Sequence, residues 1–309
     1  MSRGEGRAGE KVIVVTAGDA NYDDLVEDLI DSLPGRAERT FDLAYVRLGG
    51  DHAPAAIAAR VDRLAMPPRD DGWIPGAKGF ELAFRGLKAR LPELFPGYDI
   101  YVWLDGDTWV QNAAGIPELA EASAHADIAI HPELDVHYLS QPVPNDYTLM
   151  VYDRIYGPEE ARLYTRRPMV NSGVFAARAG SPLWARWREA LMDSRERQTG
   201  RTETFYSDQI PLHRLIHSGA LTVRPLRAVN NWMVLMAMPV LNFQRRRLLV
   251  PTPPHEEIHI LHLVGAAKDS IYQVGDTGRT MSFRYRDVRA LFDAAAAQSG
   301  EGRPGGALA

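Results

Sequence analysis

Short, uniformly apolar runs alternate with amphipathic stretches along this chain. Lys11 to Thr16 reads KVIVVT, β-branched and without alternation, which predicts a strand covered on both faces. Leu25, Val26, Leu29, Ile30 and Leu33 then recur at helical spacing until Pro34-Gly35 stops them. Phe41 to Leu48 predicts a second strand, so the opening reads strand–helix–strand, the start of a parallel α/β sheet. Residues 49–76 are rich in Gly, Pro, Ala and Asp and predict a loop with at most one short helix. Phe80, Leu82, Ala83, Leu87 and Leu91 predict a helix that ends before Pro92. Tyr98 to Leu104 (YDIYVWL) is another covered strand, and it runs directly into Asp105-Gly106-Asp107.

Farther on, Ile116 to Ala124 predicts a helix and Asp127 to His131 a strand. Residues 132–169 show no regular pattern and are expected to be irregular, with tyrosines at 138, 147, 152, 156 and 164. Val170 to Ala177 predicts a strand, and Pro182 opens a helix bearing the stripe Trp184, Trp187, Leu191. A helix over Ser207 to Ser218, strands at Leu221 to Arg224 and Ile258 to Leu263, and a last helix near Tyr285 to Ala297 complete the list. Neither an internal repeat nor a linker interrupts the chain. The expectation is one α/β domain over residues 11–297, with a mostly parallel sheet and helices on both faces. Residues 11–112 form one half and 113–297 a less regular one, between disordered ends at 1–10 and 298–309.

Composition narrows the function classes. The 309 residues are 45% apolar and 24% charged, with a net charge of −5, which excludes a surface that coats nucleic acid. Cysteine is absent, so disulfides, thiolate metal sites and cysteine nucleophiles are excluded. Only four of the 35 basic residues are lysine, which lets each be weighed singly. The polar, Gly/Arg-rich start is not a signal peptide and no apolar stretch reaches the length of a membrane span, so a cytoplasmic protein is expected.

Chemistry concentrates at two places far apart in the chain. Asp105 and Asp107 follow a covered strand at its carboxyl end, where open α/β sheets bind ligands. Two hard oxygen ligands there suit a divalent cation, and the cation suits a diphosphate. Burying both carboxylates without a counter-charge would be costly. The segment IHILHLVGAAK offers one: His262 to complete a metal site, Gly265 to let backbone approach phosphate, and Lys268 to neutralise it.

Six motifs in order now resemble the retaining glycosyltransferases of family 8, enzymes of the GT-A fold. They are VIVVTAGDANY, YVWLDGDTWV, Val170-Asn171-Ser172-Gly173-Val174, Ser207-Asp208-Gln209, Asn230-Asn231-Trp232-Met233 and HLVGAAK. The resemblance implies a UDP-sugar donor and Mn2+, with Mg2+ as a substitute, held by Asp105, Asp107 and His262. It implies Gly265 and Lys268 on the diphosphate, and Thr16, Ala17, Asp19 and Tyr22 on the uridine. Lys78, Asn171, Asp208 and Gln209 would face the donor sugar, with Asp208 or Gln209 opposite the leaving group and retention of anomeric configuration. The acceptor is not named by the resemblance. Where the family follows its closing lysine with Pro-Trp, this chain has Asp269-Ser270.

The remaining features read more plainly. Trp184 and Trp187 are expected in the core, and the tyrosines of 138–164 either pack or stack on an acceptor sugar. Residues 69–76 are a surface loop or a lid, and Arg245-Arg246-Arg247 a solvated charge run or a contact for a membrane surface or an acidic acceptor. Two rival readings stand beside the transferase. Asp105-Gly106-Asp107-Thr108 also matches the haloacid-dehalogenase-type phosphohydrolases, in which Asp105 would be the nucleophile and Asp107 the acid/base. A non-catalytic nucleotide-sugar-binding protein would keep the site without turnover.

Overall fold

The computed structural model describes residues 9–49, 52–67, 86–138, 146–198, 207–274 and 280–299. Its centre is a seven-stranded sheet built from β1 (Val12–Gly18), β2 (Asp42–Arg47), β3 (Arg63–Ala65), β4 (Ile100–Leu104), β6 (Ile128–Pro132), β7 (Val170–Arg178) and β8 (Val223–Pro225). The order is β3-β2-β1-β4-β7-β6-β8, and β7 alone runs against the others. A second, three-stranded sheet pairs β5 (Thr108–Val110) with β12 (Ile260–His262) and β9 (Trp232–Met233), and between β9 and β12 in the chain β10 (Val240–Asn242) and β11 (Arg247–Leu249) form an antiparallel hairpin. The longer described helices are α1 (Asp23–Ser32), α2 (Gly115–Ala122), α3 (Asp146–Tyr156), α4 (Pro158–Tyr164), α5 (Leu183–Glu196), α6 (Gln209–His217) and α7 (Tyr285–Ser299).

Both faces of the sheet are covered, which is why its strands read as unbroken apolar runs. Ile13, Val15, Tyr101, Trp103 and Phe175 belong to one core cluster with Trp184 and Trp187 of α5. Val14, Ile100, Val102, Leu104 and Val174 belong to the cluster on the other face, with Val26 and Leu29 of α1. Period-two alternation is present but invisible to polarity, because each face is equally dry.

Two expectations are corrected. Residues 146–164 are helical, not irregular: α3 and α4 meet at Gly157, whose φ of 89° turns the chain between them. Val151, Tyr152, Ile155 and Tyr156 form the buried stripe of α3 and pack with Tyr164 and Ile210, so these tyrosines serve as core residues rather than as an acceptor platform. The other departure lies at Pro92. Residues 88–90 form a 3-10 turn that passes into a short helix, Leu91–Leu94, with the proline in its first turn, where a missing N–H costs nothing. Of the expected disordered ends, 1–10 and 298–309, residues 1–8 and 300–309 lie outside the described residues and 298–299 belong to α7; the 69–76 loop and the start of the 80–91 helix also lie outside them. Among the described residues no helix is long and apolar enough to cross a membrane.

Candidate active site

The site sits where the carboxyl ends of β1 and β4 meet the second sheet. β4 delivers Asp105, whose N–H donates to the Gly173 carbonyl of β7 at 2.7 Å. The turn that follows is tight: a Cβ on Gly106 would meet the Ala17 carbonyl oxygen at 2.9 Å and Val26 at 3.0 Å. The middle residue of the Asp-Gly-Asp turn is therefore glycine for want of room above β1. The chain continues straight into β5, which pairs antiparallel with β12 in the register His262 to Thr108, and the Leu263 N–H donates to the Asp107 carbonyl at 2.9 Å. That register brings an imidazole from late in the sequence beside the turn.

Asp105, Asp107 and His262 each offer a ligand atom, all within 4.8 Å of one another. His262 Nε2 lies 3.3 Å from Asp107 Oδ1. Neighbouring ligands around an ion with bonds of about 2.0–2.2 Å are roughly 3 Å apart, so the donor set fits a divalent cation. Asp107 is 7% exposed. Burial pushes its carboxyl up, but the His262 imidazole and the Lys268 ammonium outweigh burial and hold it at about 2. Gly173 lies beneath the cluster. A Cβ there would stand 2.1 Å from His262 Cε1 and 2.9 Å from both Asp105 Oδ2 and Asn171 Oδ1.

Lys268 donates to Asp107 Oδ2 at 3.1 Å and to the Tyr22 hydroxyl at 2.7 Å. Burial pulls its ammonium down, while the Asp107 charge and the Tyr22 hydroxyl push it up, to about 12. Gly265, three residues earlier, adopts a left-handed φ of 59° in the turn that returns Lys268 to the site. Tyr22 and Asp19 are half-buried where β1 leads into α1. Thr16 and Ala17 are wholly enclosed within β1, and Thr16 Oγ1 has no hydrogen-bond partner among the described residues.

On the other side lie Asn171, Asp208 and Gln209. Asp208 precedes α6, and its carbonyl accepts from the Trp187 indole at 2.9 Å. Its Oδ2 accepts from Ser172 Oγ at 3.1 Å. Gln209 Nε2 and Asn171 Nδ2 both donate to Glu133 Oε1, at 3.2 and 3.1 Å. Glu133 is pushed above the usual carboxylate range, chiefly by burial. Contacts thus link Asp105, Asp107, His262, Lys268, Tyr22, Asn171, Asp208 and Gln209, directly or through Lys88, Glu133 and Asn231; Thr16, Ala17, Asp19 and Gly265 lie on the segments that lead to Tyr22 and Lys268, and Lys78 lies outside the described residues.

Three residues of the site receive no role from the sequence. Lys88 is 2% exposed and bridges Asp105 Oδ1 at 3.0 Å and Asp208 Oδ2 at 2.9 Å. Burial pulls its ammonium down, and the two carboxylates overcome that and hold it well above its usual range. Its signal was there: one of four lysines, set between Leu87 and Leu91 on an apolar stripe. Glu133 follows a covered strand as Asp105 does. Asn231 stands in the Asn230-Asn231-Trp232-Met233 motif, but its role does not follow from the motif, and only the structure shows its Oδ1 2.9 Å from His262 Nδ1.

No family model and no curated protein sequence matches the chain. Solved structures do. The galactosyltransferase LgtC, in complex with donor and acceptor sugar analogues, superposes with a TM-score of 0.55 at 14% identity, over 91% of this chain and 95% of that one. An active-site mutant of LgtC gives 0.54 at 14% identity, over 93% and 95%. The bifunctional glycosyltransferase WbbM gives 0.51 at 14% identity, over 84% of this chain and 47% of the larger protein. This chain therefore has the GT-A fold of these glycosyltransferases, with the Asp-Gly-Asp turn and His262 brought together at its centre.

Proposed function

We propose that this protein is a metal-dependent glycosyltransferase that moves a hexose from a UDP-sugar to a hydroxyl acceptor with retention of anomeric configuration. The observation that carries the reading is the convergence of Asp105, Asp107 and His262 within 4.8 Å, with Lys268 alongside. A divalent cation, Mn2+ or Mg2+, would supply charge stabilisation to the departing diphosphate. The imidazole in the donor set favours Mn2+ over Mg2+, which prefers oxygen and water.

The protein's own groups do the rest. Lys268 lies beside Asp107, where it neutralises phosphate charge as the bond from the anomeric carbon to the phosphate oxygen breaks. Asn171, Asp208 and Gln209 position the sugar. Asp208 Oδ2 is engaged by Lys88 and Ser172, which lowers its reactivity as a nucleophile. That favours a front-face reaction: the acceptor oxygen bonds to the anomeric carbon on the face the diphosphate leaves, and its proton passes to a phosphate oxygen. Asp19 and Tyr22, half-buried where β1 leads into α1, are the residues proposed to meet the uridine, with Thr16 and Ala17 behind them.

A thermal-shift panel of nucleotide sugars with and without Mn2+ tests the reading. UDP-sugars should raise Tm only with metal, and Asp107→Ala or His262→Ala should abolish the shift. Metal-dependent shifts by GDP- or CMP-sugars alone would overturn the uridine assignment. Release of inorganic phosphate from phosphoesters, without sugar-nucleotide turnover, would favour the phosphohydrolase. Tight UDP and Mn2+ binding without turnover on any acceptor or on water would favour a binding protein. The phosphohydrolase fits the fold less well, because the aspartate pair follows β4 rather than the opening strand.

A further inference from the structure

Behind His262 runs a chain of side-chain amides whose orientation can be deduced from one unambiguous donor. The backbone N–H of Gly173 donates to a terminal amide atom of Asn171 at 3.0 Å, so that atom must be the oxygen, Oδ1. Asn171 Nδ2 then points away, to Glu133 Oε1 at 3.1 Å, an acceptor. The same Asn171 Oδ1 receives a second hydrogen bond, 3.0 Å long, from Asn231, so the Asn231 atom there must be Nδ2. This turns Asn231 Oδ1 toward His262 Nδ1, 2.9 Å away. An amide oxygen only accepts, so Nδ1 must carry a proton. The neutral imidazole is thereby left with its lone pair on Nε2, the nitrogen that faces Asp107.

The alternative tautomer would gain the Asp107 carboxylate as an acceptor at Nε2, 3.3 Å away, but would give up the shorter bond at Nδ1 and disturb the amides behind it. A proton on Nε2 alone would set two lone pairs against each other at His262 and Asn231. Turning the Asn231 amide over would let Nδ2 donate to Nδ1, but only by setting the Asn231 oxygen against Asn171 Oδ1, where a donor is required. Turning Asn171 would set its amide group against the Gly173 N–H, which the strand holds in place. Asn171 and Asn231 are 4% and 0% exposed, so water offers no substitute partner.

We propose that Asn231, with Asn171 and Glu133 behind it, is a positioning relay that holds His262 as its Nδ1–H tautomer and so presents Nε2 to a divalent cation. The inference rests on the metal reading above for the cation, and on hydrogen-bond geometry alone for the tautomer. It gives Asn231 a role separate from any contact with the donor. It also makes the Gly173 peptide, deep in β7, the origin of the imidazole's orientation.

Two measurements on the intact chain test it. The first is a long-range proton–nitrogen correlation spectrum of the metal-free protein at alkaline pH, with His262 assigned by its loss in His262→Gln. The second is Mn2+ affinity by calorimetry, without nucleotide. The wild type should show a protonated Nδ1 and a bare Nε2. Asn231→Asp keeps an acceptor at Nδ1 and should keep the Nδ1–H tautomer, although its second oxygen faces Asn171 Oδ1 and should lower the melting temperature. Asn231→Leu removes the acceptor and should let the Nε2–H form appear, with Mn2+ affinity about 10–100-fold weaker, the usual loss when a ligating histidine loses its support. Far-UV dichroism checks that both variants fold. A wild-type Nε2–H tautomer would overturn the relay, and so would Asn231→Leu with unchanged tautomer and affinity. A wild type that shows the Nδ1–H tautomer yet binds no Mn2+ would overturn the metal reading and leave the relay standing.

Discussion

Replacing Gly173 with alanine tests the centre of the site with a single methyl group. Gly173 lies in β7 outside the left-handed region, so alanine meets no backbone penalty and only space matters. The new Cβ would stand 2.1 Å from His262 Cε1. Carbon atoms settle at about 3.5 Å or more, so the imidazole must retreat by about 1.4 Å. His262 is 3% exposed and hydrogen-bonded to Asn231, so it has little room to yield. Overpacking of this kind costs about 1–3 kcal/mol, or a Tm lowered by roughly 2–12 °C in a domain of this size. Metal geometry tolerates only about 0.2 Å, so the function should suffer more than the fold. We expect Gly173→Ala to fold, to melt a few degrees early, and to bind Mn2+ at least about 10-fold more weakly. Gly180→Ala is the control: nothing lies within 4 Å of its Cβ, so both readouts should stay at wild-type values. Calorimetric titration with Mn2+ and a melting curve decide it. Wild-type Mn2+ affinity in Gly173→Ala would mean that His262 is not a ligand, or does not sit above β7 as the structure has it.

Three further outcomes are expected. Lys88→Met should destabilise the chain by about 3–5 kcal/mol in urea denaturation, since Asp105 and Asp208 would lose the buried cation between them; a loss under 1 kcal/mol would refute the bridge. Lys268→Gln should leave the fold intact and weaken UDP binding in the presence of Mn2+ by about 10–100-fold, the worth of a hydrogen bond to a charged group; unchanged affinity by calorimetry would remove Lys268 from the diphosphate. Burial lowers His131 and His213 from 6.5 to about 4 each. Their unfolded forms bind protons first, so this stability is complete above pH 6.5 and is lost as pH falls toward 4. Near pH 5 the slope from the pair should approach about 2.7 kcal/mol per pH unit, two protons at 1.36 each. Urea midpoints at pH 5 and 7 check it, and His213→Asn should flatten the slope.

The sequence by itself determined the strands and the candidates. A strand dry on both faces must be apolar throughout, so KVIVVT and YDIYVWL could be read without a partner in view, and so could the carboxylates that end the second run. Helix stripes were as plain where they were aliphatic, and were passed over in α3 because its stripe is half tyrosine. Pairing is another matter. No local pattern says that β12 lies antiparallel to β5 with His262 opposite Thr108, yet that register alone places the imidazole at Asp107. Nor does spacing show why Gly173 must lack a side chain, since the nearest atom it makes room for, His262 Cε1, and the Asp105 carboxylate come from elsewhere in the fold. Lys88 and Asn231 belong to the same class. A buried cation and a buried amide acquire meaning only from the partners that burial obliges them to find, and those partners are supplied by the tertiary fold.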